Sequence, residues 1–219
     1  MESINRIIRW LPQLLKGARM TIVMTILAVS IGLVLSLFLA LGKMSKNPIL
    51  NKPCSAYIFF FRGTPLLMQI YFIYFGLPQF NPALTIKSAF VAALIAYSLN
   101  SAAYLAENIR AGLESIDKGQ HEAAKALGMT YQQTMRLIII PQTVRRLIPP
   151  VGNEFIMVLK DVSLVAIIGL SDLTKVTRAI SSSSATALVY IPAMIIYLII
   201  TAFFTFIFNR LEKKYSVYE

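Results

Sequence analysis

Long apolar segments, separated by shorter polar ones, dominate the chain. The first, residues 20–42, contains no charged side chain. At about 1.5 Å of rise per helical residue, it is long enough to cross a hydrocarbon core of about 30 Å. Similar segments follow at about 56–76, 88–106, 147–170 and 188–208. This pattern predicts an all-α membrane protein with five transmembrane helices.

The two ends of the chain follow a different pattern. Residues 1–18 have apolar positions at helical spacing with polar residues between them. The apolar side of this predicted helix consists of Ile4, Ile7, Ile8, Leu11 and Leu15. We expect an amphipathic helix that lies in the membrane interface with Trp10 as an anchor. Residues 19–212 are then expected to form the transmembrane domain, with a cytoplasmic tail at 213–219.

The composition excludes a water-soluble domain. Hydrophobic residues make up 57% of the chain, charged residues only 14%, and the mean hydropathy is +0.66, whereas soluble domains carry about 25% charged residues. The net charge of +11 comes from Lys and Arg beside the apolar segments, so we attribute it to membrane topology and expect no nucleic acid partner. One cysteine and one histidine cannot form a Cys/His metal cluster.

Basic residues also predict the orientation of the chain. If the N-terminus is outside, the cytoplasmic segments are the loops at about 43–53 and 107–146 and the tail. Together these carry more Lys and Arg than the outside segments do. We therefore expect the N-terminus outside and the C-terminus in the cytoplasm, because basic residues are enriched on the cytoplasmic side.

The polar segment 107–146 carries the signals of a short helix in a water-exposed loop. Asp117 can cap a helix over 118–127. Gly128 follows at the position where a left-handed residue commonly ends a helix. We therefore expect a tight turn at Gly128.

A second helix is predicted directly after this turn. Thr130 and, three residues later, Gln133 form a capping-box pattern, and we expect the helix to end at Pro141. Two helices joined by a glycine turn predict a rigid knob in the cytoplasm. Taken alone, these residues are equally compatible with a pair of solvated loop helices that have no partner.

The loop also resembles a known family. Glu122-Ala123-Ala124, three residues, Gly128, nine residues and then Ile138-Ile139-Ile140-Pro141 resembles the EAA loop of importer-type ABC transporter membrane subunits. Ile140 stands where that family usually has Leu. The similarity covers about residues 15–212.

Two further segments resemble the polar amino acid branch of these permeases. They are Phe61-Arg62-Gly63-Thr64-Pro65-Leu66-Leu67 and Leu159-Lys160-Asp161-Val162-Ser163-Leu164. Val162 stands where Thr is commoner in the branch. Three matches in the same order along the chain make coincidence a poor explanation.

The resemblance implies that the knob is a coupling helix seated in a groove of a cytoplasmic ATP-hydrolysing subunit. The positions that match the coupling motif are Glu122, Ala123, Ala124 and Gly128. This chain is then not an enzyme and needs no cofactor, because ATP and magnesium belong to the partner subunit. It has no phosphate loop of its own, since its Gly42-Lys43 pair is followed by Met.

The resemblance implies further partners and a location. An extracellular or periplasmic binding protein would deliver an amino acid, and the permease would pass it to the cytoplasm by alternating access. A second permease chain is expected to be an identical copy, with a related chain left open. The location would be the lipid bilayer of a bacterial inner or plasma membrane.

The second apolar segment carries an arginine near its middle. Arg62 is followed by Gly63-Thr64-Pro65, where Thr64 can act as N-cap and Pro65 suits the first position of a new half-helix. The N-terminus of such a half-helix offers free backbone N–H groups and a partial positive charge to a substrate carboxylate. The alternative is a proline kink whose arginine pairs with an acidic residue of the fourth span.

The fourth span carries two acidic residues on one face. Glu154 and Asp161 are seven residues apart, so a helix places them on the same side, and Lys160 points away from them. Carboxylates in a membrane span usually line a cavity or pair with a cation. This face can receive an ammonium or guanidinium group. Alternatively, Asp161 neutralises Lys160 or Arg62 and Glu154 is hydrated near the cytoplasmic side.

Polar residues of the third span complete the predicted site, although they can equally form hydrogen bonds between helices. The predicted substrate-binding residues are Arg62, Gly63, Thr64, Pro65, Gln69, Tyr97, Asn100, Ser101, Tyr104, Glu154, Val158 and Asp161. A positive half-helix end and a negative face suit an amino acid, with a basic one favoured over glutamine or another polar one. An ion-coupled secondary transporter is the rival class, and it would be active without an ATPase.

Overall fold

The computed structural model describes residues 2–215, with side chains from residue 6 onward, and contains no strand within that range. The last four residues of the predicted tail lie outside the described residues, as do the side chains of Ile4 and Asn5. The α-helices are α1 Glu2–Met44, α2 Pro48–Gly63, α3 Leu66–Tyr71, α4 Leu77–Phe80, α5 Ala89–Glu114, α6 Lys118–Ala126, α7 Tyr131–Thr134, α8 Ile140–Asp161, α9 Leu173–Ser184 and α10 Tyr190–Tyr215. π-Helical turns occupy Phe72–Gly76 and Met135–Ile139, and 3₁₀ turns occupy Pro82–Leu84, Val162–Ile168 and Ala187–Val189.

The N-terminal segment differs from its prediction. We expected a separate interfacial helix over 1–18, but α1 runs on into the first span without a break. Leu14 and Ala18 are buried in an apolar cluster with residues of α9 and α10, so this part of α1 packs against protein. At Gly17 the backbones come so close that an added Cβ would lie 2.8 Å from Leu173 Cα. Tertiary packing therefore extends the helix through the predicted boundary.

The all-α membrane fold with several apolar spanning helices is confirmed, and the count of five spans stays a prediction. By length and apolar composition, three helical segments of the described chain can cross a membrane: Arg6–Met44, Ala89–Glu114 and Ala187–Tyr215. The pair Pro48–Gly63 and Leu66–Phe80, bent by 106°, makes a fourth if it forms one broken span. Helix α8, over the predicted fourth span, does not qualify because charged residues interrupt its apolar character.

Helix α5 lies at the centre of the packing and contacts α1, α2, α3 and α8. Small side chains allow these close approaches, and the alanines of α5 that are fully buried are Ala92, Ala93, Ala96, Ala102, Ala103 and Ala106. The helix continues to Glu114, beyond the predicted end at residue 106. The loop between α5 and α8 is therefore shorter than the predicted 107–146.

The local signals of this loop are largely confirmed. Asp117 caps α6, with its carboxylate accepting a bond from the Gly119 N–H at 2.6 Å. Gly128 adopts a left-handed conformation with φ +75°. Thr130 and Gln133 form the predicted capping box at the start of α7.

Pro141 does not end a helix, which corrects the prediction. The chain continues from α7 through the π-helical turn Met135–Ile139 into α8, and Pro141 lies in the first turn of α8. The first N–H groups of a helix have no intrahelical partner, so proline is tolerated there. Proline thus marks a helix start here.

Candidate functional site

The second span breaks at Gly63-Thr64-Pro65, as predicted. Helix α2 ends at Gly63 and α3 begins at Leu66, and the chain bends by 106° between them. Thr64 is not the N-cap we expected, because its hydroxyl donates back to the Phe60 carbonyl at 2.8 Å. Thr64 ends α2 instead, and Pro65 precedes α3 without a side-chain cap.

Gln69 stabilises this break through side-chain hydrogen bonds. Its Nε2 donates to the carbonyls of Phe61 and Thr64 at 3.0 and 3.1 Å and to the Thr64 hydroxyl at 2.9 Å. Its Oε1 accepts a bond from Asn100 Nδ2 at 3.0 Å, and Asn100 also donates to Phe61 O at 3.1 Å. Carbonyls freed by a broken helix inside a membrane need such partners. Gln69 is buried and lies outside the cavity lining, so its place is structural.

A cavity of about 330 Å³ lies beside the break. Small-molecule sites commonly begin at about this size. Its lining residues come from α2, α3, the break between them, α5 and α8: Arg62, Gly63, Thr64, Pro65, Leu66, Asn100, Tyr104, Glu154, Met157, Val158 and Asp161. The structure thus brings nine of the predicted site residues together. Leu66 and Met157 were missed because apolar residues in an apolar helix carry no distinguishing signal.

Arg62 lines the cavity from the end of α2. Its guanidinium carbon lies 5.4 Å from the centroid of the Tyr104 ring. The nearest carboxylate is that of Glu107, with Nη1 and Oε1 3.9 Å apart. Pairing with an acidic residue of α8, the alternative considered above, is not what the structure has. Glu107 was missed because it stood at the predicted edge of the loop.

The acidic face of α8 forms the opposite wall. Glu154 is buried and Asp161 is half-buried, and both line the cavity. Lys160 is exposed and lies outside the lining. Glu154 and Asp161 thus share the cavity face as predicted, while Lys160 lies off that face but near enough to Asp161 for a charge interaction.

Two predicted residues of α5 lie behind the wall. Tyr97 is buried, and its hydroxyl donates to the Asp161 carbonyl at 2.5 Å. Ser101 is buried beside Glu154, but its Oγ has no hydrogen bond within ordinary distance in the described residues. Neither lines the cavity, so both act at most through their neighbours.

The loop between α5 and α8, which is the predicted coupling loop, presents a mixed surface. Glu122 and Ala123 are exposed on α6, whereas Ala124 is only 1% exposed. Leu127 and Tyr131 are 81% and 74% exposed on either side of the Gly128 turn. The sequence analysis did not single out this apolar pair, because apolar residues at helical spacing are also expected in loop helices that have no partner.

Comparison with known proteins decides the family. A model described as "Binding-protein-dependent transport system inner membrane component" matches residues 32–217. The chain belongs to this family. It is a membrane-spanning permease of an amino acid ABC transporter, and the rival class of ion-coupled secondary transporters is set aside.

Permeases similar over nearly the whole chain have several named substrates. The chain is 39% identical over 208 residues to the probable amino-acid ABC transporter permease YckA of Bacillus subtilis (strain 168), with 94% of this chain and 91% of that protein covered. It is 38% identical to the glutamine permease GlnP of Escherichia coli (strain K12), with 94% of each covered. The arginine permease ArtQ of Bacillus subtilis (strain 168) is 39% identical, with 93% of each covered.

A solved structure supports the same fold. The crystal structure of an amino acid ABC transporter with histidines contains a chain 42% identical to this permease. The two superpose with a TM-score of 0.88, over 94% of this chain and 96% of the other. The arrangement of helices around the cavity therefore belongs to the amino acid permeases.

Proposed function

We propose that this permease carries a basic amino acid, such as arginine, lysine or histidine, through the cavity beside the broken second span. The observation that carries the proposal is the charge of the wall: Glu154 and Asp161 face one arginine. Glu107, the carboxylate nearest that arginine, does not add to the charge of the wall, because it pairs with Lys43 and Arg110. The cavity thus has negative charge in excess of what the carboxylate and ammonium of a neutral amino acid require.

Arg62 and the Gly63-Thr64-Pro65 break would receive the α-carboxylate of the substrate. A guanidinium binds a carboxylate through two parallel hydrogen bonds, and Arg62 is 42% exposed toward the cavity. Glu154 and Asp161 would receive the ammonium or the basic side chain. The solved transporter with histidines, at 42% identity, supports a side chain of this kind.

Glutamine is the second candidate. The relatives named for glutamine and for arginine are almost equally similar to this chain, at 38% and 39% identity. Asn100 lines the cavity, and its amide could bind a neutral polar side chain as well as a charged one. The acidic pair on α8 is the observation that favours a basic substrate over glutamine.

Energy would come from a cytoplasmic ATP-hydrolysing partner that holds ATP and magnesium. The knob formed by α6, Gly128 and α7 would dock on it, with exposed Leu127 and Tyr131 as apolar anchors and Glu122 at the rim. Alternating access of the cavity would follow the movement of that partner.

The remaining assembly follows the family's transport mode. An extracellular or periplasmic binding protein would supply the amino acid, and a second permease chain, most simply an identical copy, would complete the pathway. The N-terminus would lie outside and the C-terminus in the cytoplasm, because this orientation places the knob on the side of the ATPase.

A substrate screen tests the proposal. The complex of permease, ATPase and binding protein is reconstituted in lipid vesicles, and ATP hydrolysis is measured with each of the twenty amino acids. Arginine, lysine or histidine should stimulate hydrolysis most. Stimulation by glutamine and not by these three would assign the second candidate, and stimulation by none would contradict an amino acid substrate.

A further inference from the structure

Glu107 of α5 lies where three cations meet, one helical turn beyond the cavity residue Tyr104. Its Oε2 is 2.8 Å from Lys43 Nζ, and its Oε1 is 2.6 Å from Arg110 Nη2. Arg62 is the third cation, with Nη1 3.9 Å from Oε1. These contacts join α1, α2 and α5 through one carboxylate.

The three contacts are unequal. Lys43 and Arg110 are within hydrogen-bond distance of Glu107, whereas Arg62 is at the outer limit of an ion pair. If Arg62 moved away, Glu107 would keep two charge-assisted hydrogen bonds. Leaving a carboxylate without a partner is the main cost of breaking an ion pair in a protein interior, and Lys43 and Arg110 remove that cost here.

The other side of Arg62 faces the cavity. Its side chain is 42% exposed, and its guanidinium lies over the Tyr104 ring. The remaining N–H donors of the guanidinium can therefore point toward a ligand. A substrate carboxylate in the cavity would compete with Glu107 for the same group.

We infer that Arg62 exchanges between Glu107 and the carboxylate of a bound amino acid, with Glu107 acting as a positioning residue that limits how tightly the carboxylate is held. The inference rests on the proposed function, because it requires an amino acid in this cavity. Lys43 sets the balance: it draws on the negative charge of Glu107 and so loosens the hold of Glu107 on Arg62.

This arrangement predicts opposite effects for two variants at one cluster. Glu107→Gln removes the competitor of the substrate and should tighten carboxylate binding by about two- to fivefold, the range for a partly exposed ion pair. Lys43→Gln leaves Glu107 freer to hold Arg62 and should weaken carboxylate binding by a similar factor. A cluster that only holds helices together would shift both variants in the same direction.

The experiment measures equilibrium binding to the purified permease–ATPase complex in lipid nanodiscs. The ligands are L-arginine and agmatine, which is arginine without its carboxylate, and L-glutamine with 4-aminobutanamide as the matching neutral pair. The opposite shifts should occur for L-arginine or L-glutamine and be absent for the decarboxylated partners. Equal shifts for a ligand and its decarboxylated partner, or shifts of the same sign in both variants, would overturn the inference.

Controls separate this inference from the proposed function. Glu212→Gln removes an exposed carboxylate of α10 that belongs neither to this cluster nor to the cavity lining, so it should leave binding unchanged. If the Glu107→Gln variant does not assemble, Glu107→Asp takes its place. The shorter side chain lengthens the distance between this carboxylate and Arg62 and should also tighten binding of the substrate carboxylate. Wild-type binding of neither amino acid would overturn the proposed function as well, whereas normal wild-type binding with unresponsive Glu107 and Lys43 variants would overturn the inference alone.

Discussion

The coupling loop takes its shape from residues that are neighbours along the chain, whereas the cavity is assembled from residues far apart. In the loop, Asp117 bonds to Gly119 and Thr130 to Gln133. In the cavity, Arg62, Asn100 and Glu154 come from three different helices. Changes in the loop should therefore act through backbone conformation, and changes in the cavity through charge and through bonds between helices.

The largest effect is expected at the turn of the loop. Gly128 has φ +75°, and no atom lies within 4 Å of an added Cβ, so backbone conformation alone decides what is tolerated. Gly128→Val should penalise the left-handed conformation by about 1–2 kcal/mol, redirect the knob and abolish substrate-stimulated ATP hydrolysis. Hydrolysis by the reconstituted complex is the measurement, with membrane insertion expected to be normal.

Gly128→Asn is the matched variant, because asparagine visits the left-handed region far more readily than valine. It should retain most of the coupling. Equal loss in both variants would mean that the small size of glycine, and not its conformation, matters at the partner surface.

The next effect concerns charge in the cavity. Glu154→Gln keeps the shape of the side chain and removes a carboxylate from the wall. Hydrogen bonds to charged groups contribute about 1.5–3 kcal/mol, so arginine uptake should fall by roughly ten- to a hundredfold. Glutamine uptake, if present, should change much less. Uptake of radiolabelled amino acids into proteoliposomes makes the comparison.

The control for this variant is Glu212→Gln, at an exposed glutamate of α10 outside the cavity. It should leave both uptakes unchanged. An equal reduction of arginine and glutamine uptake by Glu154→Gln would assign the acidic face a structural role and remove the basis for a basic substrate.

A smaller effect, on stability, is expected behind the cavity. Gln69→Leu removes the donors that satisfy the carbonyls of Phe61 and Thr64. Unsatisfied buried groups cost about 1–3 kcal/mol each, so the purified protein should unfold at a lower temperature, measured by the fluorescence of a thiol-reactive dye. Gln79→Leu changes an exposed glutamine of α4 and should have no such effect. Equal unfolding temperatures of the two variants would contradict the idea that Gln69 stabilises the break between α2 and α3.

The smallest effect returns to the loop. Thr130→Ala removes the cap of α7 and should cost about 0.5–2 kcal/mol of local stability. Hydrogen exchange at residues 131–134 should accelerate, while stimulated hydrolysis falls only modestly because docking on the partner restores the helix. A loss as large as that of Gly128→Val would show that the cap controls the knob as strongly as the turn does.

Prediction succeeded where the chemistry is local. Gly128 and the Thr130–Gln133 capping box were assigned correctly because each signal depends on a few adjacent residues. Pro141 and Thr64 were misassigned for a related reason. A proline fits both the end and the first turn of a helix, and a threonine hydroxyl can bond forward or back along the chain, so only the neighbouring structure selects between the two.

Charge and helical spacing in the amino acid sequence were sufficient to place Arg62, Glu154 and Asp161 at one site, because charges are costly in a membrane and must converge on a cavity. Packing between distant segments decided the rest. It joined residues 2–18 to the first span in α1 through contacts with Leu173, placed Gln69 and Tyr97 behind the cavity wall, and brought Glu107 to Arg62. Such contacts depend on how closely two helices approach each other. The residue pattern within a single helix does not specify that distance.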